Sequence, residues 1–190
     1  MRSTLTAALA TALVSGTAGA NEFEPAIMAY YEAELASLAA DPVLATAIRD
    51  RNEATSAFSQ AQIDELDLAW RAEVGASESA LIRSVLDGPA ADALRTKVDD
   101  AAGSISEIFI MDARGLNVAA SGLTSDYWQG DEEKFTETFP KGAGAVHVSE
   151  VEFDESTQTF QSQVSFTILD PDTQEPLGAI TVGLIAEALD

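Results

Sequence analysis

The densest group of chemically useful side chains lies in one loop, Thr124–Phe135, with the sequence TSDYWQGDEEKF. It brings together aromatic rings, an amide, a carboxylate and an ammonium group, which can stack, hydrogen-bond and pair charges; the residues are Tyr127, Trp128, Gln129, Asp131 and Lys134. Small-molecule sites combine an aromatic wall with a few polar groups in this way. The loop therefore indicates the lip of a ligand pocket. The alternative is a surface loop whose aromatic rings only cover the hydrophobic core.

Three residues of this loop are the strongest candidate ligand contacts. Tyr127 and Trp128 each carry a ring with a polar tip, which normally finds a hydrogen-bond partner when buried. Asp131 follows a glycine, so its oxygens can meet an amine or a hydroxyl of a ligand. Packing of the rings on the hairpin before the loop, and a solvated acidic run around Asp131, stay open as alternatives. The secondary candidates are polar residues in or after the loop: Gln129, His147, Gln163 and Ser165.

The same sequence offers little for catalysis or metal binding. It has no cysteine and one histidine, His147, so a zinc site would need carboxylates for every other protein ligand. Neither a G-x-S-x-G nucleophile turn nor a glycine-rich nucleotide loop occurs. Asp170, Asp172 and Glu175 resemble a calcium loop, but Pro171 and a missing glycine favour a hairpin turn. We therefore expect no enzyme activity, no metal and no cofactor.

The chain is strongly acidic. Its 190 residues include 10 Lys+Arg and 32 Asp+Glu, a formal net charge of -22. Such a charge repels nucleic-acid phosphates and anionic lipid surfaces, so neither is an expected partner. Solubility or adaptation to a salty medium is the simpler explanation. The more specific explanation is attraction of a cationic ligand or a basic partner. The net charge alone does not distinguish these two explanations.

The first 20 residues have the pattern of a secretory signal peptide. Arg2 supplies the positive end, Leu5–Val14 the apolar stretch, and Ala18-Gly19-Ala20 a small-residue cleavage site. The apolar stretch is too short to span a bilayer. We expect cleavage after Ala20, release into the periplasm and no membrane insertion afterwards.

Two regions must position the loop. Residues 21–103 follow a helical pattern, with Asp41-Pro42 as a strong helix start, and residues 104–190 follow the period of two that is typical of strands. The expected strands are Ile105–Met111, Leu116–Ala120, Ala145–Phe153, Thr159–Leu169 and Leu177–Leu184. The third should bulge near Ser149–Glu150, where its alternation slips. This order predicts an α+β fold, with N-terminal helices packed on an antiparallel sheet of five to six strands.

The fourth expected strand alternates between apolar and polar residues. One face carries Phe160, Val164, Phe166 and Ile168, and the other carries Gln161, Gln163, Ser165 and Thr167. The polar row either faces water, as in a half-exposed sheet, or lines the pocket.

Four segments carry a resemblance to a known family. They are the helices around Asp41-Pro42-Val43-Leu44 and Ile48, the hairpin IFIMDARGLNVAAS, the loop TSDYWQGDEEKF, and the closing run VHVSEVEFDESTQTFQSQVSFTILDPDTQEPLGAITVGL. Together they resemble an extracellular Cache-type sensor domain, the single-module, PAS-like kind also called PDC. The resemblance implies a five- or six-stranded antiparallel sheet with a long helix behind it. It also implies a small-molecule pocket on the opposite face, under the loop between the second and third strands.

Cache domains usually sit outside a membrane-spanning kinase or chemoreceptor, whereas this sequence has no such span and no output module after its last strand. We therefore expect a stand-alone periplasmic component that binds a small polar metabolite and presents its ligand state to a membrane receptor or transporter. The alternative is a ligand-independent interaction module. In that case a face of the first helix would pair with itself or with a receptor, through Ile27, Tyr31, Leu35 and Leu38.

Overall fold

The computed structural model describes residues 21–76, 79–154 and 157–189, which form a helical layer on a six-stranded sheet. The expected signal peptide, residues 1–20, lies outside the described residues. In the described part of the chain, no helix is long and apolar enough to cross a membrane.

Six α-helices are described. They are α1 (Glu24–Tyr30), α2 (Pro42–Thr55), α3 (Gln60–Glu73), α4 (Ala80–Leu86), α5 (Pro89–Asp100) and α6 (Glu133–Thr136). Between α1 and α2 the chain stays helical but changes pitch, first as a π-helical turn over Tyr31–Leu35 and then as a 3-10 helix over Ala36–Ala40. Short 3-10 helices also form at Phe139–Lys141 and Ala186–Ala188.

Local sequence signals explain where the two longest helices begin. The Asp41 side chain accepts hydrogen bonds from the backbone N–H groups of Val43 and Leu44, and Pro42 occupies the first helical position. Ser59 and Gln62 form a capping box at the start of α3. The predicted start of α2 at Asp41-Pro42 is confirmed.

The sheet has six strands: β1 (Ile105–Met111), β2 (Asn117–Ala120), β3 (Val146–Val148), β4 (Glu152–Asp154), β5 (Thr159–Leu169) and β6 (Pro176–Leu184). Their order is β2-β1-β6-β5-β3, and every pair is antiparallel. β4 also pairs with β5, further along the edge that β3 occupies. The register against β5 differs by one residue between β3 and β4: Val148 pairs with Val164, and Glu152 pairs with Gln161. The irregularity predicted near Ser149–Glu150 is thus a break between two short strands.

The two faces of the sheet carry different cores. One face packs on α1, α2 and α5, and its buried apolar residues include Ile108, Ile110, Val164, Phe166, Ile168, Ile180 and Val182. The other face contributes Phe109, Met111 and Ala179 to a smaller core with α3, α4 and the segment after β2. The α+β fold predicted from the order of helices and strands is confirmed.

The face of α1 proposed for dimerisation is occupied inside the same chain. Ile27 and Leu35 are fully buried in the larger core, and the Tyr31 ring contacts the Phe166 ring with centroids 5.0 Å apart. Leu38 packs against the same core. These side chains hold the N-terminal segment to the sheet, so Ile27 and Leu35 are not accessible to a second copy, and Tyr31 and Leu38 are only half-exposed.

Candidate functional site

The segment Thr124–Phe135, here called the flap, crosses the second face of the sheet and is fixed at both ends. At its start, the Trp70 indole N–H donates to the Thr124 carbonyl oxygen (2.9 Å), and the Trp70 ring stacks on Tyr127 with centroids 5.4 Å apart. At its end, Phe135 is buried in the smaller core and stacks on Phe139. The residues between these anchors are therefore held over the sheet.

Asp67 and Arg71 of α3 act as a clasp on the flap. One Asp67 carboxylate oxygen accepts hydrogen bonds from the backbone N–H groups of Tyr127 (2.9 Å) and Trp128 (3.0 Å). The Arg71 guanidinium pairs with the other Asp67 oxygen (2.7 Å) and with Asp126 (2.8 Å). Asp67 is buried, so removing its carboxylate would leave two backbone donors of the flap without a partner.

The middle of the flap lies against the β1–β2 hairpin. Trp128 pairs with Leu116 in an antiparallel bridge, and its indole N–H donates to the Arg114 carbonyl oxygen at 2.9 Å. The backbones approach so closely that a Cβ on Gly115 would lie 2.5 Å from the Gly130 Cα atom. Gly115 also has a φ of +79°, which side chains rarely adopt. Two glycines thus allow this contact between flap and hairpin.

A cleft of about 540 Å³ opens between the flap and the outer strands β3, β4 and β5. Its lining carboxylates are Asp126, Asp131, Glu132, Glu133, Glu150, Glu152 and Asp154. The other lining residues are Ser125, Lys134, His147, Ser149, Phe153, Gln161 and Gln163. The size is that of a small-molecule site. With seven carboxylates and a single lysine, the lining is strongly anionic.

Ion pairs neutralise part of this charge. Lys134 Nζ lies 2.9 Å from a Glu132 oxygen. His147 Nε2 lies 3.8 Å from a Glu133 oxygen, a contact that becomes an ion pair only when the imidazole is protonated. Asp126 is engaged by Arg71 from α3. The carboxylates of the lining still outnumber these cations, so the cleft favours a ligand that carries positive charge.

A narrow inner pocket of about 20 Å³ continues the cleft towards β1. It shares Ser125, Lys134, Asp154 and Gln163 with the cleft and adds Glu107, Phe109, Thr124 and Gln129. Glu107 is 7% exposed and accepts hydrogen bonds from the side-chain amides of Gln161 (2.9 Å) and Gln163 (3.3 Å). Burial raises the pKa of Glu107, because a low-dielectric surrounding disfavours the ionised form.

The structure brings three of the expected ligand contacts together in the cleft: Asp131, His147 and Gln163. Asp131 is exposed on the flap, while His147 and Gln163 are half-buried on β3 and β5. Gln129 is buried at the inner pocket, where its oxygen accepts from Lys134 Nζ (3.3 Å). Of the polar row on β5, Gln161 and Gln163 line the cleft.

The other three expected contacts do not line the cleft. Tyr127 is buried in the smaller core, with its hydroxyl accepting a hydrogen bond from the Arg51 guanidinium. Trp128 faces a separate hollow of about 400 Å³ between the flap and α3. Ser165 is fully buried and shares a hydrogen bond with Thr181 (2.9 Å). The aromatic side chains of the flap thus hold it in place, as the alternative interpretation of packing on the hairpin anticipated for Trp128.

Sequence reasoning missed Glu107 and the acidic lining from β4. Glu107 had a usable signal, since it is the one charged residue in a largely apolar central strand, and carboxylates are rarely buried without partners. Glu150, Glu152 and Asp154 had none, because only the break between β3 and β4 directs them to the cleft.

The second acidic group of the sequence, at the β5–β6 turn, is structural. One Asp170 oxygen pairs with Arg49 of α2 (2.6 Å), and the other accepts from the backbone N–H groups of Asp172 and Thr173. These contacts lower the pKa of Asp170 to about 2. Within residues 21–76, 79–154 and 157–189, no group of three or more acidic or histidine side chains is placed to hold a metal ion.

No protein-family profile and no curated protein sequence matches the chain. Three solved structures among those that match are sensory domains. The ligand-binding domain of the Campylobacter jejuni chemoreceptor Tlp3 in complex with L-valine has a TM-score of 0.44, at 11% identity over 90% of this chain. The ligand-binding domain of the Pseudomonas fluorescens chemoreceptor CtaA in complex with L-serine has a TM-score of 0.38, at 13% identity over 76%. The sensor domain of the V. cholerae histidine kinase DctB has a TM-score of 0.36, at 13% identity over 88%.

This chain spans only 66%, 56% and 56% of those three structures, respectively. The three structures are ligand-binding or sensor domains of two chemoreceptors and a histidine kinase. Because the TM-scores lie below 0.5, a function for this chain has to come from its own cleft.

Proposed function

We propose that this protein is a periplasmic, non-catalytic sensor component that binds a small polar molecule and presents its ligand state to a membrane receptor or transporter. The observation that carries the proposal is the cleft of about 540 Å³ between the flap and the polar face of β5. A site of this kind needs a concave surface and a few convergent polar groups, and the cleft supplies both.

The lining favours a polar ligand over an apolar one. On the sheet side it offers the side chains of Gln161 and Gln163, and on the flap side it offers Asp131, Glu133 and Lys134. A ligand between these two walls would contact the sheet and the flap together. Its binding free energy would therefore depend on where the flap lies, which is the requirement for a ligand to shift a conformational equilibrium.

The clasp provides a route from the cleft to the outer surface. Asp126 lines the cleft and is paired with Arg71, whose side chain is 55% exposed on α3. A ligand that repositions the flap would change the contacts of α3. In this proposal, the exposed side of α3 is where a receptor or transporter reads the ligand state.

Export to the periplasm is part of the proposal and depends on residues 1–20. It is supported by the charge, apolar stretch and small-residue site of that segment. The expected mature protein begins at Asn21, which intact-mass measurement of the exported protein would reveal.

A thermal-shift screen of amino acids, amines, carboxylates and purines tests the binding function. Ligands of the cleft should raise the unfolding midpoint, because binding to the folded state stabilises it. Their effect should vanish in the double variant Asp131→Asn, Glu133→Gln, which removes two exposed cleft carboxylates without changing side-chain size.

Glu137→Gln is the matched control. Glu137 lies one helical turn beyond Glu133, pairs with Lys141 and does not line the cleft. This variant should keep every hit. Hits that survive the double variant, or a complete absence of hits, would contradict the proposed cleft.

A further inference from the structure

The ammonium group of Lys134 lies in surroundings built for a cation. Its Nζ atom is 2.9 Å from a Glu132 carboxylate oxygen and 3.3 Å from the Gln129 amide oxygen. It also lies over the Phe109 ring, 5.7 Å from the centroid. A carboxylate, an amide oxygen and an aromatic face together form a binding site for an ammonium group.

Two of these three partners, Gln129 and Phe109, are held independently of Lys134. Gln129 is 2% exposed, and its amide nitrogen donates to the Asp126 carbonyl oxygen (3.1 Å), which directs its oxygen towards Lys134. Phe109 is fixed in the central strand β1 and belongs to the smaller core. The amide oxygen and the aromatic face of the subsite would thus keep their positions if another ammonium group replaced the lysine.

Lys134 stands where the cleft meets the inner pocket. It lines both, and the buried carboxylate of Glu107 lies on the far side of the inner pocket. Only 17% of the Lys134 side chain is exposed, against 55% for Lys141 in the same segment. The ammonium group of Lys134 therefore occupies the inner end of the anionic cleft, where a cationic group of a ligand could otherwise bind.

We propose that the inner end of the cleft is an ammonium-binding subsite, held by the Lys134 ammonium in the free protein, and that the cleft takes an organic amine whose own ammonium group displaces it. This inference rests on the proposed function and names the ligand class. The remaining carboxylates of the cleft, outside the Lys134 ion pair, would receive a second ammonium group. Diamines should therefore bind more tightly than monoamines.

The opposite role for Lys134 makes the opposite prediction. If its ammonium group anchored the carboxylate of an amino acid or organic acid, its removal would weaken binding. If it occupies the place of the ligand, its removal vacates the subsite, because the free protein no longer competes with the ligand. A single substitution therefore separates the two roles.

The experiment is titration calorimetry of the whole mature protein with a matched set of four-carbon probes. The set contains 1,4-diaminobutane, butylamine, 4-aminobutanoate, butanoate and butanedioate. For the wild type we expect binding in the order diamine, then monoamine, with neither acid binding. Lys134→Gln should bind 1,4-diaminobutane roughly tenfold more tightly. Lys134→Met, which also removes the hydrogen-bonding group, should act in the same direction.

Lys141→Gln is the matched control, because it removes one positive charge from an exposed site outside the cleft. This variant should change the affinity for 1,4-diaminobutane by less than about twofold, because salt screens an exposed charge that lies away from the ligand. An equal gain in affinity for 1,4-diaminobutane in Lys134→Gln and Lys141→Gln would refute the subsite, because it would show that both lysines act only through the overall electrostatic potential. Weaker diamine binding in both Lys134 variants would overturn it as well.

The outcomes also separate this inference from the proposed function. Binding of butanoate, butanedioate or 4-aminobutanoate in preference to the amines, lost in Lys134→Gln, would leave the cleft as a binding site and refute the ammonium subsite. Binding of no probe by the wild type or by Lys134→Gln, together with an empty thermal-shift screen, would refute both.

Discussion

Glu107 is the side chain whose chemistry departs most from its surroundings. It is a carboxylate in the central strand β1, and the side-chain amides of Gln161 and Gln163 hydrogen-bond to one of its oxygens. Burial raises its pKa, the neighbouring Asp154 acts in the same direction, and the amides and Lys134 oppose the shift. Since a raised carboxyl pKa means that the folded state favours the protonated form, ionised Glu107 costs stability.

Glu107→Gln should therefore raise the midpoint of thermal unfolding at about pH 7, where the penalty is present in the wild type. The gain should shrink as the pH falls through the raised pKa. It should be absent below the ordinary carboxyl pKa of about 4, where Glu107 is protonated in both states. Thermal unfolding across this pH range is the measurement, and Glu137→Gln, on the surface, should change little at any pH. A gain that did not depend on pH would show that repacking, not charge, is responsible.

For single residues, the sequence indicated which side chains of the flap could bind a ligand but not whether each one faces the cleft or the core. Asp131, His147 and Gln163 line the cleft, whereas Tyr127 is buried in the smaller core. A large ring can serve a pocket or an interior equally well, and the choice depends on Trp70, which is far away in sequence and stacks on it. Local sequence does not contain that contact.

At the scale of elements, α3 organises the flap more than the sheet does. Trp70, Asp67 and Arg71 lie on about one turn of this helix and contact the flap through stacking, two backbone hydrogen bonds and an ion pair. The flap also carries the short helix α6 within its acidic run, so Glu133 and Lys134 are on a helical turn. Placement of the cleft groups therefore depends on α3 and α6 together.

Asp67→Ala tests the clasp. It leaves the backbone N–H groups of Tyr127 and Trp128 without their acceptor, and a buried donor without a partner costs about 1–3 kcal/mol. We expect the free energy of unfolding in urea to fall by that amount. Asp64→Ala removes an exposed carboxylate from the preceding turn of α3 and should cost about 0.5 kcal/mol or less. Equal losses in the two variants would mean that Asp67 does not hold the flap.

Helix starts and strand periods were predictable because short-range signals determine them. Asp41 and Pro42 set the start of α2, and the alternation of β5 set its two faces. The slip in alternation near Ser149–Glu150 predicted a bulge within one strand, whereas the structure has a break between two strands, β3 and β4. The π-helical turn Tyr31–Leu35 and the helix α6 have no comparable local signal, because tertiary packing determines them.

At the scale of the whole molecule, part of the acidity behind the net charge of -22 lies in one cleft. Seven carboxylates line one cleft, and flap and strand both contribute to them. Composition alone left open whether the acidity serves solubility or a ligand. The location of these carboxylates supports a cationic ligand, since a concave anionic surface raises the local concentration of cations.

A second opening shows why the location of a bound ligand matters. A groove of about 620 Å³ runs between α2, the α4–α5 turn and β2, and it shares no lining residue with the cleft. Its lining is largely apolar, with Arg51 and Asp50 among the polar residues. A small molecule that stabilised the protein from this groove would give a thermal shift without occupying the cleft.

A crystal structure of the mature protein with its best-binding hit is the most direct test of the central claim, that the cleft under the flap is the ligand site. The account predicts ligand density between Gln163 on β5 and Asp131 and Glu133 on the flap, with an ammonium group within hydrogen-bonding distance of Gln129 or Glu132. Density in the groove beside Arg51, with the cleft filled only by solvent, would contradict it.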